Sequence, residues 1–167
     1  MAVAFSTNTS RHDAEYIYEK SQCVPELTPR SVKKLRLLSE KKLIAVARDG
    51  KMIVGWVISE PLSDGVFELG LGFVEKPYRG RNILYKMLEL LVENENSSFV
   101  FATFESRIMQ SMREQLRFKD STLREILIIS RGKFATKRLS SLAASRRVAT
   151  HLKKKKALYG IRRPKKS

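Results

Sequence analysis

Apolar positions along this chain change period several times, and each change marks an element. Val32, Leu35 and Leu38 recur at helical spacing behind Thr28-Pro29, which reads as a cap followed by proline at the first helical position. An earlier helix is expected from about Asp13 to Gln22, capped by Asp13 and broken near Pro25. Two runs rich in β-formers follow, 43–48 and 52–58, joined by Asp49-Gly50, a strong hairpin signal. Pro61, Ser63, Asp64 and Gly65 mark a second turn. Residues 66–74, VFELGLGFV, form a third strand, whose Gly70 and Gly72 predict a bulge or a close backbone approach. Ile83, Leu84, Met87, Leu88 and Leu91 then trace a helix. A buried strand is expected at 98–104, a helix on Ile108, Met109, Met112 and Leu116, and a last strand at 122–130. Strand–helix–strand after three antiparallel strands requires a right-handed crossover and a parallel pair. The fold class is therefore α/β, a mixed sheet flanked by helices on both faces.

Charge divides the chain. Of its 33 Lys and Arg side chains, 14 lie in 131–167, where none of the 17 acids falls; the last acid is Glu125. The organisation expected is a near-neutral domain over 1–131 and a basic C-terminal extension over 132–167, helical or disordered. Residues 137–152 allow a basic helix with Leu139, Leu142 and Ala143 inward, and the stretch beyond it shows no core-forming content. Such an extension meets phosphate polyanions. Arg146, Arg147, Lys153, Lys154, Lys155, Lys156, Arg162, Arg163, Lys165 and Lys166 are the candidate contacts to nucleic acid, DNA or RNA, without sequence preference. A solvated, solubilising tail is the plainer alternative.

The rest of the composition mostly excludes. Hydrophobic residues make up 43% of 167, enough for a core without metal or disulfide, and Cys23 has no partner. His12 and His151 are isolated, so no metal site is expected. No apolar run approaches the roughly 20 residues of a membrane span, and no secretory pattern opens the chain. A cytoplasmic location is expected.

The segment 75–82, EKPYRGRN, joins the third strand to its helix. A loop that opens a helix presents unpaired amides, the helix dipole adds partial positive charge, and pyrophosphate binds such a place. Arg79 and Arg81 bring two cations there, and Asn82 tolerates a left-handed backbone. A strand–turn–helix with a solvated Arg pair accounts for the same residues.

Val74, Pro77, Tyr78, Arg79 and Gly80 resemble the acyl-CoA-binding motif of the GNAT acetyltransferase superfamily, and the element order over about 42–130 resembles that fold. The resemblance implies acetyl-CoA or another acyl-CoA held over Phe73, Val74, Arg79, Gly80, Arg81, Asn82, Ile83 and Leu84, with Ser106 near its arm. The backbone of Phe73 and Val74 would pair with the pantetheine arm, which in this family adds like a strand between two splayed strands. The implied activity is transfer of the acyl group to an amine acceptor. Glu68 would be the general base and Tyr78, or Tyr85, the proton donor to the thiolate. Each has a plainer reading: an exposed strand Glu, a packed Tyr, and for Ser106 a helix N-cap. Several positions depart from the family pattern. Asn82 and Leu84 replace two motif glycines, Arg117 stands where Gly precedes the Phe at 118, and Arg113 falls at the place of the acid tyrosine. A Leu84 side chain aimed at the phosphates would crowd the cofactor out. The second reading is therefore a catalytically inactive GNAT-like structural protein bound to RNA or DNA, for example on the ribosome.

Overall fold

A computed structural model describes residues 2–25, 27–93, 96–140 and 157–164. The strand order is β1-β2-β3-β4-β5-β7-β6, a mixed seven-stranded sheet. Contacts divide the chain into two units, Met1–Glu60 with Gly70–Glu93, and Pro61–Leu69 with Asn94–Ser167.

The first unit holds β1 (Val3–Ser6), α1 (Arg11–Gln22), α2 (Val32–Glu40), β2 (Ile44–Asp49), most of β3 (Met52–Ser63), the end of β4 (Val66–Val74) and α3 (Ile83–Val92). Helix α1 starts earlier than its apolar spacing suggests. Ser10 is the cap: its Oγ accepts from the Asp13 amide, and the Asp13 carboxylate accepts from the Ser10 amide at 2.6 Å. Asp13 is thus the third helical residue of a capping box rather than the cap. Helix α2 is likewise capped by Ser31, not Thr28. The Asp49-Gly50 hairpin forms as expected, with Gly50 left-handed at φ 59°. Strand β1, too short to leave a period, pairs antiparallel with β2. Ile17, Leu35, Leu38, Ile44, Val46, Trp56 and Ile58 form the core and are fully buried. Each such aliphatic contributes about 1.5–3 kcal/mol by leaving water.

The second unit holds the end of β3, the start of β4, β5 (Ser98–Thr103), α4 (Ser106–Leu116), β6 (Lys119–Ser121), α5 (Leu123–Ile129), α6 (Lys133–Ser140) and β7 (Leu158–Arg162). β4 and β5 are the parallel pair, in register from Val66↔Ser98 to Leu69↔Phe101.

Two expectations fail here. Residues 122–130 are not a strand. Thr122 caps α5 with Glu125 in a second capping box, and that end signal outweighs the β-rich run LREILII. The stretch beyond Lys156 is not without core content. β7 pairs antiparallel with both β5 and β6, and Ile161 is buried with Leu62, Val66, Val100, Ile126 and Phe134. Gly160 seats there because a Cβ would lie 3.3 Å from Met109 and from Phe118. Phe134 on α6 and Ile161 on β7, both within the basic stretch, are thus core residues of this unit. The expected helix over 137–152 is described only to Ser140, and Arg146, Arg147, Lys153–Lys156, Lys165 and Lys166 lie outside the described residues.

Candidate functional site

The turn between β4 and α3 is built by a few bonds within the first unit. The Glu75 amide donates to the Val54 carbonyl at 2.9 Å, which fixes the end of β4 on β3. Lys76–Tyr78 make a single 3-10 turn. Gly80 (φ 79°) and Asn82 (φ 58°) are both left-handed, and α3 begins at Ile83. Asn82 is the N-cap by position, yet its side chain does not cap the helix. The Asn82 side chain thus does not close off the first-turn amides, which carry the positive end of the dipole. Arg79, Gly80, Arg81 and Asn82 are all exposed. Ile83 is buried and contributes only backbone.

Leu84, the most adverse departure from the family pattern, packs against β4. Gly72 has no Cβ, and a Cβ placed there would lie 3.1 Å from the Leu84 methyl. The missing side chain at 72 thus makes room for the extra one at 84. The left-handed residue of β4 is neither Gly70 nor Gly72 but Leu71, at φ 50°. A leucine held there is strained by about 1–2 kcal/mol, and such strain clusters where backbone groups are redirected for function. Sequence reasoning missed it because leucine is an unfavourable residue for that conformation.

The two arginines and Tyr78 brace the turn. Arg79 Nε donates to the Val74 carbonyl at 2.9 Å, and the Arg81 guanidinium lies 5.5 Å from the centre of the Tyr78 ring. The Tyr78 hydroxyl donates to Asp49 at 2.7 Å, and this bond, with some burial, raises its pKa. A tyrosine so held is a poorer proton donor, and its hydroxyl ties the turn to Asp49 at the end of β2. Phe73 stacks on Trp56, with centroids 4.5 Å apart.

In the second unit, Glu68 is not an exposed strand acid. Its side chain is 8% exposed and pairs with Lys137 of α6 at 2.5 Å. Ser106 is the first residue of α4, exposed, and not the cap; Glu105 holds that position, and its amide is taken by Thr103 Oγ1 at 3.1 Å. Arg113 binds Asp120 at 2.7 Å, and Arg117 ends α4 in a left-handed conformation, φ 57°, as the glycine it replaces would. Arg162 lies within β7 and Arg163 just beyond it.

No family model matches the chain, and no curated protein sequence does. Solved structures do. An acetyltransferase of the GNAT family from Staphylococcus aureus Mu50 is 16% identical and superposes with TM-score 0.58 over 73% of this chain and 87% of its own. Diaminobutyrate acetyltransferase EctA from Paenibacillus lautus, solved with L-2,4-diaminobutyric acid and coenzyme A, is 17% identical, with TM-score 0.55 over 72% and 80%. A chain of the NatC complex bound to Gag peptide and CoA is 16% identical, with TM-score 0.63 over 99% and 100%. The chain has the GNAT acetyltransferase fold.

Proposed function

We propose that the chain is an acyl-CoA-dependent N-acyltransferase. The observation that carries this is the turn before α3: two left-handed residues, Gly80 and Asn82, open a helix whose first amides the N-cap side chain leaves uncapped. A diphosphate fits such a turn, and the exposed Arg79 and Arg81 stand beside it. Leu84 does not argue against this, since it is stowed over Gly72. Neighbouring structures solved with coenzyme A support the same ligand.

In the proposed reaction the thioester supplies an electrophilic carbonyl. The backbone of Gly70–Val74, turned at Leu71, offers amides to polarise it. The acceptor amine gives up a proton to Glu68 or to water, then attacks. Tyr78 supports the turn rather than the leaving group. The test is release of free thiol from acetyl-CoA in the presence of a mixed panel of amines. Turnover that requires both an amine and the intact turn is expected. A chain that binds acetyl-CoA yet gives no amine-dependent thiol favours the inactive, nucleic-acid-bound alternative.

The excess of cations over 131–167 supports a second component, contact with nucleic acid. Neutralising Lys153–Lys156 with glutamine should flatten the slope of log affinity against log salt by about 3–4 on duplex DNA, if each contacts a phosphate.

A further inference from the structure

A cleft of about 410 Å³ opens within the second unit, between α5 and the end of β7. Glu125, Ile128 and Ile129 of α5 line it, at the spacing of one helix face. Arg163 and Pro164, just past β7, and Ser98, the first residue of β5, complete it. The volume lies in the roughly 300–1,000 Å³ range of small-molecule sites, which share its make-up of an apolar wall and a few polar groups. Ile128 is 68% exposed, a large apolar side chain that the chain itself does not cover.

The three polar groups are not spent on one another. Ser98 is 8% exposed, and among the described residues its hydroxyl has no hydrogen-bond partner. A hydroxyl so placed is satisfied by what enters the cleft. Glu125 takes its capping bonds from Thr122 and Ser121 through Oε2 alone, which leaves Oε1 to the cleft. The Thr122 amide, then the Ser121 and Thr122 hydroxyls and the Arg163 charge, lower its pKa, so it is ionised. Arg163 is exposed, and among the described residues it forms no ion pair with Glu125 or any other acid. A cation and an anion thus flank one apolar wall without joining across it. A phosphate ligand would suit Arg163 but set like charge against Glu125. An α-amino acid complements both.

We propose that this cleft binds a free amino acid with an apolar side chain. Its ammonium meets Glu125 Oε1, its carboxylate meets Arg163, its side chain lies on Ile128 and Ile129, and Ser98 bonds to either end. The inference does not rest on the acyl-CoA reading, since no lining residue belongs to the turn before α3. A ligand that joins α5 to the end of β7 stabilises the folded chain by mass action.

The test titrates the full-length protein by calorimetry with L-leucine, with L-leucinamide, which lacks the carboxylate, and with isocaproate, which lacks the ammonium. Leucine is expected to saturate at one per chain and to raise Tm, and each truncated probe to bind about tenfold or more weakly. Glu125→Gln keeps the capping box, in which glutamine also serves. It should erase the preference for leucine over isocaproate. Arg163→Gln should erase the preference over leucinamide, and thermal denaturation checks that both variants are folded. Equal binding of leucine and isocaproate would mean an anion contact at Arg163 alone and overturns the proposal. So does a uniform loss of all three probes in either variant, or no saturable binding of leucine up to about 10 mM.

Discussion

Gly55→Ala and Gly70→Ala are one chemical change at two glycines of neighbouring strands, with opposite expected outcomes. A Cβ on Gly55 would stand 2.9 Å from the Phe73 carbonyl oxygen, 3.2 Å from the Met87 methyl and 3.4 Å from Val74. The nearest of these is backbone, so it cannot rotate away. Relief needs β3 and the end of β4 to separate by roughly 0.4 Å, given ordinary contacts near 3.3–3.6 Å between carbon and oxygen. Overpacking of this kind costs about 1–3 kcal/mol. In a chain of this size that lowers Tm by roughly 2–12 °C. At Gly70 a Cβ meets nothing within 4 Å and the backbone is not left-handed, so the change should stay within about 0.5 kcal/mol. Urea denaturation of both variants reads the difference directly, and coenzyme A titration reads its effect on the Phe73–Val74 ledge. Equal stability of the two variants would refute the reasoning that the β3–β4 spacing is set by the absent side chain at 55.

Further outcomes follow from other contacts. Asp13 is held by burial, which opposes ionisation, and by bonds to Arg48 and Ser10, which outweigh it and lower its pKa. A lowered folded pKa gives stability that is present above the usual aspartate value and is lost as pH falls through the folded one. Asp13→Asn should therefore cost about 1–3 kcal/mol at pH 7, and the gap to the parent should close under acid, as followed by denaturation across pH. Arg117→Gly relieves a left-handed non-glycine cap and should stabilise by about 1 kcal/mol in the same assay. Ile161→Ala should cost about 2–5 kcal/mol, whereas a detached tail would give no change.

Much of the fold was legible because local signals and tertiary packing agreed. The Asp49-Gly50 hairpin, the strand at 66–74 and the helix on Ile83, Met87 and Leu88 each had a period and an end signal. Two elements misled for opposite reasons. Residues 123–129 are apolar and β-rich, and the Thr122–Glu125 box that makes them a helix is a four-residue signal beside a seven-residue one. The strand 158–162 stands next to four lysines, and its burial depends on β5 and β6, far away in sequence. The turn at Gly80 and Asn82 was readable because both residue types suit a left-handed backbone. Leu71 was not, nor was the Glu68–Lys137 pair, whose members are 69 positions apart. The fit of Leu84 over Gly72 was also hidden, since neither residue announces the other.

Coenzyme A titrated into the full-length protein by calorimetry, at physiological salt, tests the central claim most directly. Removing residues 133–167 is not a usable control, because it deletes α6 and β7; replacing Lys153–Lys156 with glutamine is. Saturable one-to-one binding is expected, with an affinity on the scale of the roughly 1 μM–1 mM KM values of enzymes. That binding should survive the lysine replacement and weaken about tenfold or more in Arg79→Ala/Arg81→Ala. Absence of saturable heat, or heat that disappears with the four lysines, would contradict it.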